Sequence, residues 1–196
     1  MNNDFVYLKD ISEIKFIVGL SKSNTNTKSL KWITASHLLP DNNLSLDFDE
    51  KTNSMDEAQK IQKEDILIKR ISPLYINYID IDFQDVYAYN NLIIVRPNKF
   101  TDSKYLAYIL NQIIKKISLR TSIGAVMPSL GRCELETLKI SLLPTNKQKS
   151  IGEIWYYDNE KKKHLKRLTE LQSIKNSYML NQYIMNKTGG IGNDNI

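Results

Sequence analysis

Apolar positions recur along this chain with two periods, and the change from one to the other divides it. Asp65–Arg70 (DILIKR) and Asn91–Arg96 (NLIIVR) are short, β-branched and apolar, the pattern of buried strands. Lys31–Thr34, Ile79–Phe83 and Leu138–Leu142 carry fainter versions of it. Between Thr101 and Ile117 the period lengthens. Leu106, Ile109, Leu110, Ile113 and Ile117 fall at three- and four-residue spacing, which draws one apolar stripe along a helix. Thr101 or Asp102 is placed to cap it. Segments 21–29 and 41–60 show no apolar period and are expected as surface loops.

A second zone opens after Pro144. Thr145-Asn146-Lys147-Gln148 has the form of a capping box, with Thr145 at the N-cap and Gln148 reaching back from the third helical position. The pattern is then helical to about Asn186. Some 40 residues at about 1.5 Å each would span roughly 60 Å, too long for one small domain to wrap. A coiled-coil walk meets Ile151, Ile154, Leu165 and Leu168, and a shifted walk meets Leu171, Tyr178 and Met185. Asp158–His164 interrupts the register, and Gly152 costs a helix about 1 kcal/mol relative to alanine. The zone is therefore one long helix with a polar middle, or two helices meeting near Asn159. An apolar seam needs a cover, so residues 145–186 are expected to associate with a partner or to fold back on their own domain. The expected organisation is an α/β (α+β) domain over residues 1–144, a long helix over 145–186 and a disordered tail over 187–196.

Composition removes several classes. The chain has 196 residues, 41% of them hydrophobic and 25% charged, ordinary values for a folded protein. No apolar run approaches the roughly 18 residues that cross a bilayer. The opening MNNDFVYLKD lacks the basic and apolar regions of a secretory signal, so the cytoplasm is the expected compartment. One cysteine, Cys133, and two histidines, His37 and His164, do not make a zinc cage. The net charge of +5 is unevenly spread: residues 1–60 carry −2, residues 61–144 carry +3 and residues 145–196 carry +4. That polarity fits one face turned to phosphate, and equally an unevenly charged solvated surface.

Catalytic chemistry is hard to find. Residues 20–123 contain no glycine, so there is no glycine-rich phosphate loop. Nor is there an Asn-Pro-Pro-aromatic motif to hold S-adenosylmethionine or a flipped adenine. His37 is expected in a surface or hydrogen-bonding role and His164 in solvent. Asp80 and Asp82 alternate with Ile79, Ile81 and Phe83, with Asp85 three residues on; a polar strand face accounts for them more simply than a metal site. Glu160-Lys161-Lys162 holds an acidic-x-Lys fragment, but on a charged helix. No cofactor, metal or catalytic residue is expected.

Chemistry for grooves and phosphates remains. Lys69 and Arg70 end a strand, and an arginine fork suits guanine O6/N7 or phosphate. Tyr87, Tyr89, Asn90 and Asn91 cluster before the next strand, and asparagine can pair bidentately with adenine. Arg120 follows the middle helix, and Arg132 lies in PSLGRCE. The loop from Lys22 to Lys28 adds Lys, Ser, Asn and Thr. We take Lys22, Lys28, Lys69, Arg70, Tyr89, Asn90, Arg120 and Arg132 as candidate DNA contacts. Ile151, Ile154, Leu165, Leu168 and Leu171 are candidate dimer or partner contacts.

The landmarks KWITASHL, KEDILIKRISP, NNLIIVRP and KYLAYILN follow in order, and then SIGAVMPSLGRCELETLKISLLPTNKQKSIGEIW before the long helix. Over nearly the whole chain to about Leu180, this succession resembles a target-recognition module from the specificity subunit of type I restriction–modification enzymes. The last stretch carries most of the likeness: Gly124, then Leu135, Leu138, Ile140, Leu143 and Pro144, then Lys147, Gln148 and Ile151. The resemblance implies a non-catalytic domain that reads a few base pairs of double-stranded DNA, and a long helix that serves as spacer and dimer strut. It also implies a separate methyltransferase subunit that binds S-adenosylmethionine and modifies adenine, and a third subunit that translocates and cuts DNA. A complete subunit of the family has two recognition domains and two helices. This chain has one of each, as expected of a half-subunit or a fragment; a half-subunit would pair its helix antiparallel with a second copy and read an interrupted palindrome. Two other readings stay open: a decoy that binds methyltransferase subunits, and a metal-dependent nuclease.

Overall fold

The computed structural model describes residues 5–17, 28–53, 59–121 and 129–188. The chain forms two compact units, Met1–Asn159 and Glu160–Ile196.

The first unit is a mixed α/β domain around a four-stranded antiparallel sheet. Its strands are β2 (Ser12–Phe16), β7 (Ile66–Lys69), β8 (Ile76–Tyr78) and β10 (Leu92–Pro97), in the order β2-β10-β7-β8. DILIKR and NLIIVR lie side by side at its centre, with Ile93 opposite both Ile68 and Phe16. Both sheet faces are covered, which is why these two strands are apolar at consecutive positions instead of alternating. Ile66, Ile68, Ile93 and Val95 pack on one face with Leu106, Leu110 and Ile114 of α2 (Ser103–Thr121). Leu67, Leu92 and Ile94 pack on the other with Ile33, Val86 and Ala88.

The last three belong to a second sheet. There β3 (Lys28–Ile33) pairs antiparallel with β6 (Asp49–Asn53) and parallel with β9 (Val86–Ala88). Two smaller pairs complete the domain: β1 (Phe5–Tyr7) with β11 (Lys139–Ser141), and the hairpin β4 (Leu38–Leu39) with β5 (Asn43–Leu44). Short helices α1 (Leu8–Ile11) and α3 (Arg132–Glu136) fill the margins.

The expected mixed fold and long helix are both present, with several corrections of detail. Segment 41–60 is not all surface loop. Asp41 and Asn42 take positive φ (58° and 53°) at the hairpin turn, and buried Asn42 accepts the Tyr78 N–H at 2.6 Å. Asn77 donates to the Asn43 carbonyl at 2.7 Å, so the hairpin is stitched to β8 by buried hydrogen bonds. β6 then supplies a third strand from the same segment. In segment 21–29, residues 21–27 lie outside the described ones, while Lys28 and Ser29 begin β3. Ile79–Phe83 is not a strand. The ladder ends at Tyr78, Ile79 is buried, and Ile81 is exposed.

Helix α2 begins as its stripe requires, and Asp102 is the cap, its Oδ1 accepting the Tyr105 N–H at 2.8 Å. The capping box at Thr145 does not form. α4 (Thr145–Thr188) is a single element, and Gln148 is buried with its amide committed elsewhere. Its Nε2 donates to the Leu143 carbonyl at 2.7 Å, and its Oε1 accepts the Asp102 N–H at 2.9 Å. Nor does the helix break near Asn159, which is buried and donates to the Trp155 carbonyl at 2.7 Å. It runs into the tail segment as far as Thr188, and the residues beyond are not described.

Candidate nucleic-acid interface

Pairing along β7 continues past its last strand residue and builds the site. Arg70 donates its N–H to the Asn91 carbonyl at 3.0 Å, and its carbonyl accepts the Leu130 N–H at 3.1 Å. Ile71 and Ser129 form an isolated antiparallel bridge. The segment 129–132 is thereby laid beside the end of β7, and Arg132 arrives next to the same edge as the first residue of α3. Alternation does the rest. Arg70 shares the sheet face of Ile66 and Ile68, where Phe16 of β2 also lies. The Arg70 guanidinium stands 5.9 Å from the centre of the Phe16 ring and that of Arg132 stands 4.6 Å from it.

Two guanidinium groups on one phenyl ring is an unusual charge arrangement. An aromatic face attracts a cation by about 0.5–2 kcal/mol, but two cations near one ring repel each other. Arg132 is partly neutralised by Glu136, 3.1 Å away one helical turn on. Arg70 has no such relief among the described residues, and its buried Nε has no acceptor there.

The other sequence candidates scatter. Lys69 alternates to the opposite face, where its ammonium lies 5.4 Å from the Tyr75 ring. Tyr89 packs edge-on to Trp32 at 5.7 Å and belongs to a small cluster with Leu30 and Tyr87. Asn90 is exposed at the turn into β10, beside Asn91 in the left-handed region at φ 64°. Lys22 lies outside the described residues, as do the side chains of Lys28 and Arg120. The structure thus brings together Arg70 and Arg132, with Asn90 and Asn91 at the adjoining turn. Phe16 was not anticipated. Its signal was the short alternation Ile14-Lys15-Phe16, a strand pattern ending on an aromatic.

Several other titratable groups serve structure. His37 is buried, its Nδ1 accepting the Thr34 N–H at 3.0 Å and its Nε2 donating to the Asp47 carbonyl at 2.7 Å. Asp65 is fully buried and holds Arg96 bidentately at 2.7 and 2.8 Å, which raises the arginine pKa further against the opposing effect of its partial burial. Asp80 accepts a hydrogen bond from the Tyr156 hydroxyl, and Asp85 pairs with Lys60 at 3.4 Å. Among the described residues no group of three or more His, Cys, Asp or Glu side chains could hold a metal ion. A recess of about 570 Å³ beside the start of α2 mixes Lys63, Lys99, Lys104 and Lys149 with Glu64, Asp102 and Glu153, a balance less suited to phosphate. Among the described residues no helix is long and apolar enough to cross a membrane.

The helix candidates divide as well. Ile151 is half-buried within the first unit and Ile154 is 71% exposed. In the second unit Leu165, Leu168 and Leu171 are exposed, and so are Ile174, Tyr178, Met179, Leu180, Tyr183, Ile184 and Met185. Ile174 was missed because the interrupted register hid its place between Leu171 and Tyr178.

Comparison with known proteins places this architecture. Several solved structures share the fold, three of which follow. One, from work on complex assembly and conformational transition of the type I R-M system, has 18% identity and a TM-score of 0.67, and matches 94% of this chain and 45% of its own. The HsdS subunit from Thermoanaerobacter tengcongensis has 17% identity and a TM-score of 0.59, over 84% and 39% of the two chains. The type I restriction-modification system S subunit from M. genitalium has 15% identity and a TM-score of 0.55, over 89% and 44%. The chain therefore spans less than half the length of these relatives. No curated protein shows a match. The family described as type I restriction modification DNA specificity domain matches residues 2–176, and the chain belongs to that family.

Proposed function

We propose that the chain is a sequence reader for double-stranded DNA that directs a separate adenine methyltransferase, and a restriction subunit where one exists, to a target site. It performs no chemistry itself and would act in the cytoplasm, where the DNA is. The observation that carries this reading is the pair of guanidinium groups on Phe16, an unbalanced positive edge built by strand pairing in a domain of the specificity family. Asn90, Lys69, Tyr89, Arg120, Lys22 and Lys28 remain candidate contributors around it.

The exposed apolar side chains from Leu165 to Met185 support a second element of the reading. Residues 145–186 act as spacer and strut, and two copies pair through them into a C2 dimer that reads two half-sites of an interrupted palindrome. Burying such a seam removes several leucine and tyrosine side chains from water, each contributing about 1.5–3 kcal/mol when fully covered.

The test is co-purification with a type I methyltransferase subunit followed by duplex binding. The reading expects the complex to retain one duplex against an excess of random competitor. Association without duplex binding would instead describe a decoy, and metal-dependent cleavage by the chain alone would describe a nuclease.

A further inference from the structure

The positive edge has two arginines in different circumstances, and the difference assigns them different work. Arg132 is exposed and already shares its charge with Glu136. Arg70 is half-buried, its backbone is fixed on both sides by hydrogen bonds to Asn91 and Leu130, and its side chain is backed by Phe16. Its Nε is buried, so the terminal Nη groups are the part of the side chain that can meet a ligand. A guanidinium held this firmly presents its terminal Nη donors in a fixed plane, suited to a rigid, planar pair of acceptors. Guanine presents such a pair, O6 and N7, in the major groove. A phosphate can be met equally well by a mobile, exposed group such as Arg132.

We propose that Arg70 reads a guanine in the target half-site, that Phe16 is the positioning residue holding the guanidinium plane toward the base edge, and that Arg132 contacts the neighbouring phosphate. This rests on the DNA-reading function proposed above and names the base class for that site. Lys69, on the opposite face of the strand, takes no part in reading that base.

The experiment selects bound duplexes from a randomised pool with the protein assembled on a type I methyltransferase subunit, and with its Arg70→Ala, Arg70→Lys, Phe16→Leu and Arg132→Ala variants assembled in the same way. Phe16→Leu keeps an apolar side chain on β2 while removing the aromatic face, and its thermal unfolding is compared with wild type. The wild type should yield a motif with a G·C position that is preferred about tenfold or more. Arg70→Ala, Arg70→Lys and Phe16→Leu should flatten that position alone. Arg132→Ala should weaken binding to every sequence and lower the salt dependence by about one counterion. Replacing the guanine by 7-deazaguanine, which lacks N7, should weaken wild type but not Arg70→Ala. A wild-type motif that Arg70→Ala leaves intact, or weakens uniformly, overturns the assignment while the DNA-reading function stands. A wild type that selects no motif overturns both.

Discussion

Gly152 of α4 lies so close to Asp102 at the start of α2 that an added Cβ would come within 2.6 Å of the carboxylate oxygen. The same atom would meet the Tyr105 backbone nitrogen at 2.6 Å and the Lys104 Cβ at 2.9 Å. The glycine that looked like a helix defect is the point where two helices touch. Gly152→Ala gains about 1 kcal/mol of helix propensity but incurs overpacking of about 1–3 kcal/mol. The backbone nitrogen cannot move aside, so the variant should be less stable than wild type. Urea denaturation checks this: the midpoint should fall, and a rise would show that the contact relaxes freely.

Arg96 and Asp65 form the domain's buried ion pair, in which the carboxylate is fully enclosed and the arginine also donates to the Lys60 carbonyl at 3.2 Å. Removing the arginine leaves a buried charge with the Gln62 N–H, at 2.8 Å, as its remaining partner among the described hydrogen bonds. Arg96→Ala should therefore destabilise by about 3–5 kcal/mol, read as a lower urea midpoint with unchanged slope.

Alkaline pH should unfold the domain through its tyrosines. Burial, with Glu64, Asp80 and Asp102 adding to it, pushes the Tyr78 hydroxyl up to about 12, and burial also raises Tyr105. An unfolded tyrosine titrates near about 10. Between these values the unfolded chain loses a proton that the folded chain retains, so stability falls as pH rises above about 10 and continues to fall toward 12. Tyr78→Phe should shallow that decline without abolishing it, as measured by thermal melts across the alkaline range.

Leu168, 61% exposed, lies within the apolar seam of the second unit. Leu168→Asp should convert a dimer to a monomer in light scattering. An identical mass for both proteins would remove this position from the strut.

The strands at the centre of the main sheet and the stripe of α2 could be read directly, because a sheet covered on both faces and a one-sided helix write distinct periods into the sequence. The hairpin in segment 41–60 could not. Its buried anchors are Asn42 and Asn77, whose polarity conceals their burial until their partners are known. Ile79–Phe83 imitated a strand by alternation alone: Ile79 still bonds Glu64 and Asp65 through its backbone, but the strand itself ends at Tyr78. The site was half legible. The chemistry of Arg70 and Arg132 is visible in the sequence, but their meeting at Phe16 comes from the strand order β2-β10-β7 and from the Leu130–Arg70 and Ile71–Ser129 pairings, between residues far apart in sequence. Gln148 misled for the same reason, since its expected local hydrogen bond lost to one with Asp102.

Base-resolved mapping of adenine methylation measures sequence-specific delivery of a methyltransferase directly. Cells carrying a type I methyltransferase subunit would be compared with and without this chain. Supplying the chain should create methylation at a single interrupted motif with related halves, absent without it. Methylation that is unchanged by the chain, or that appears without any motif, would contradict sequence-specific delivery.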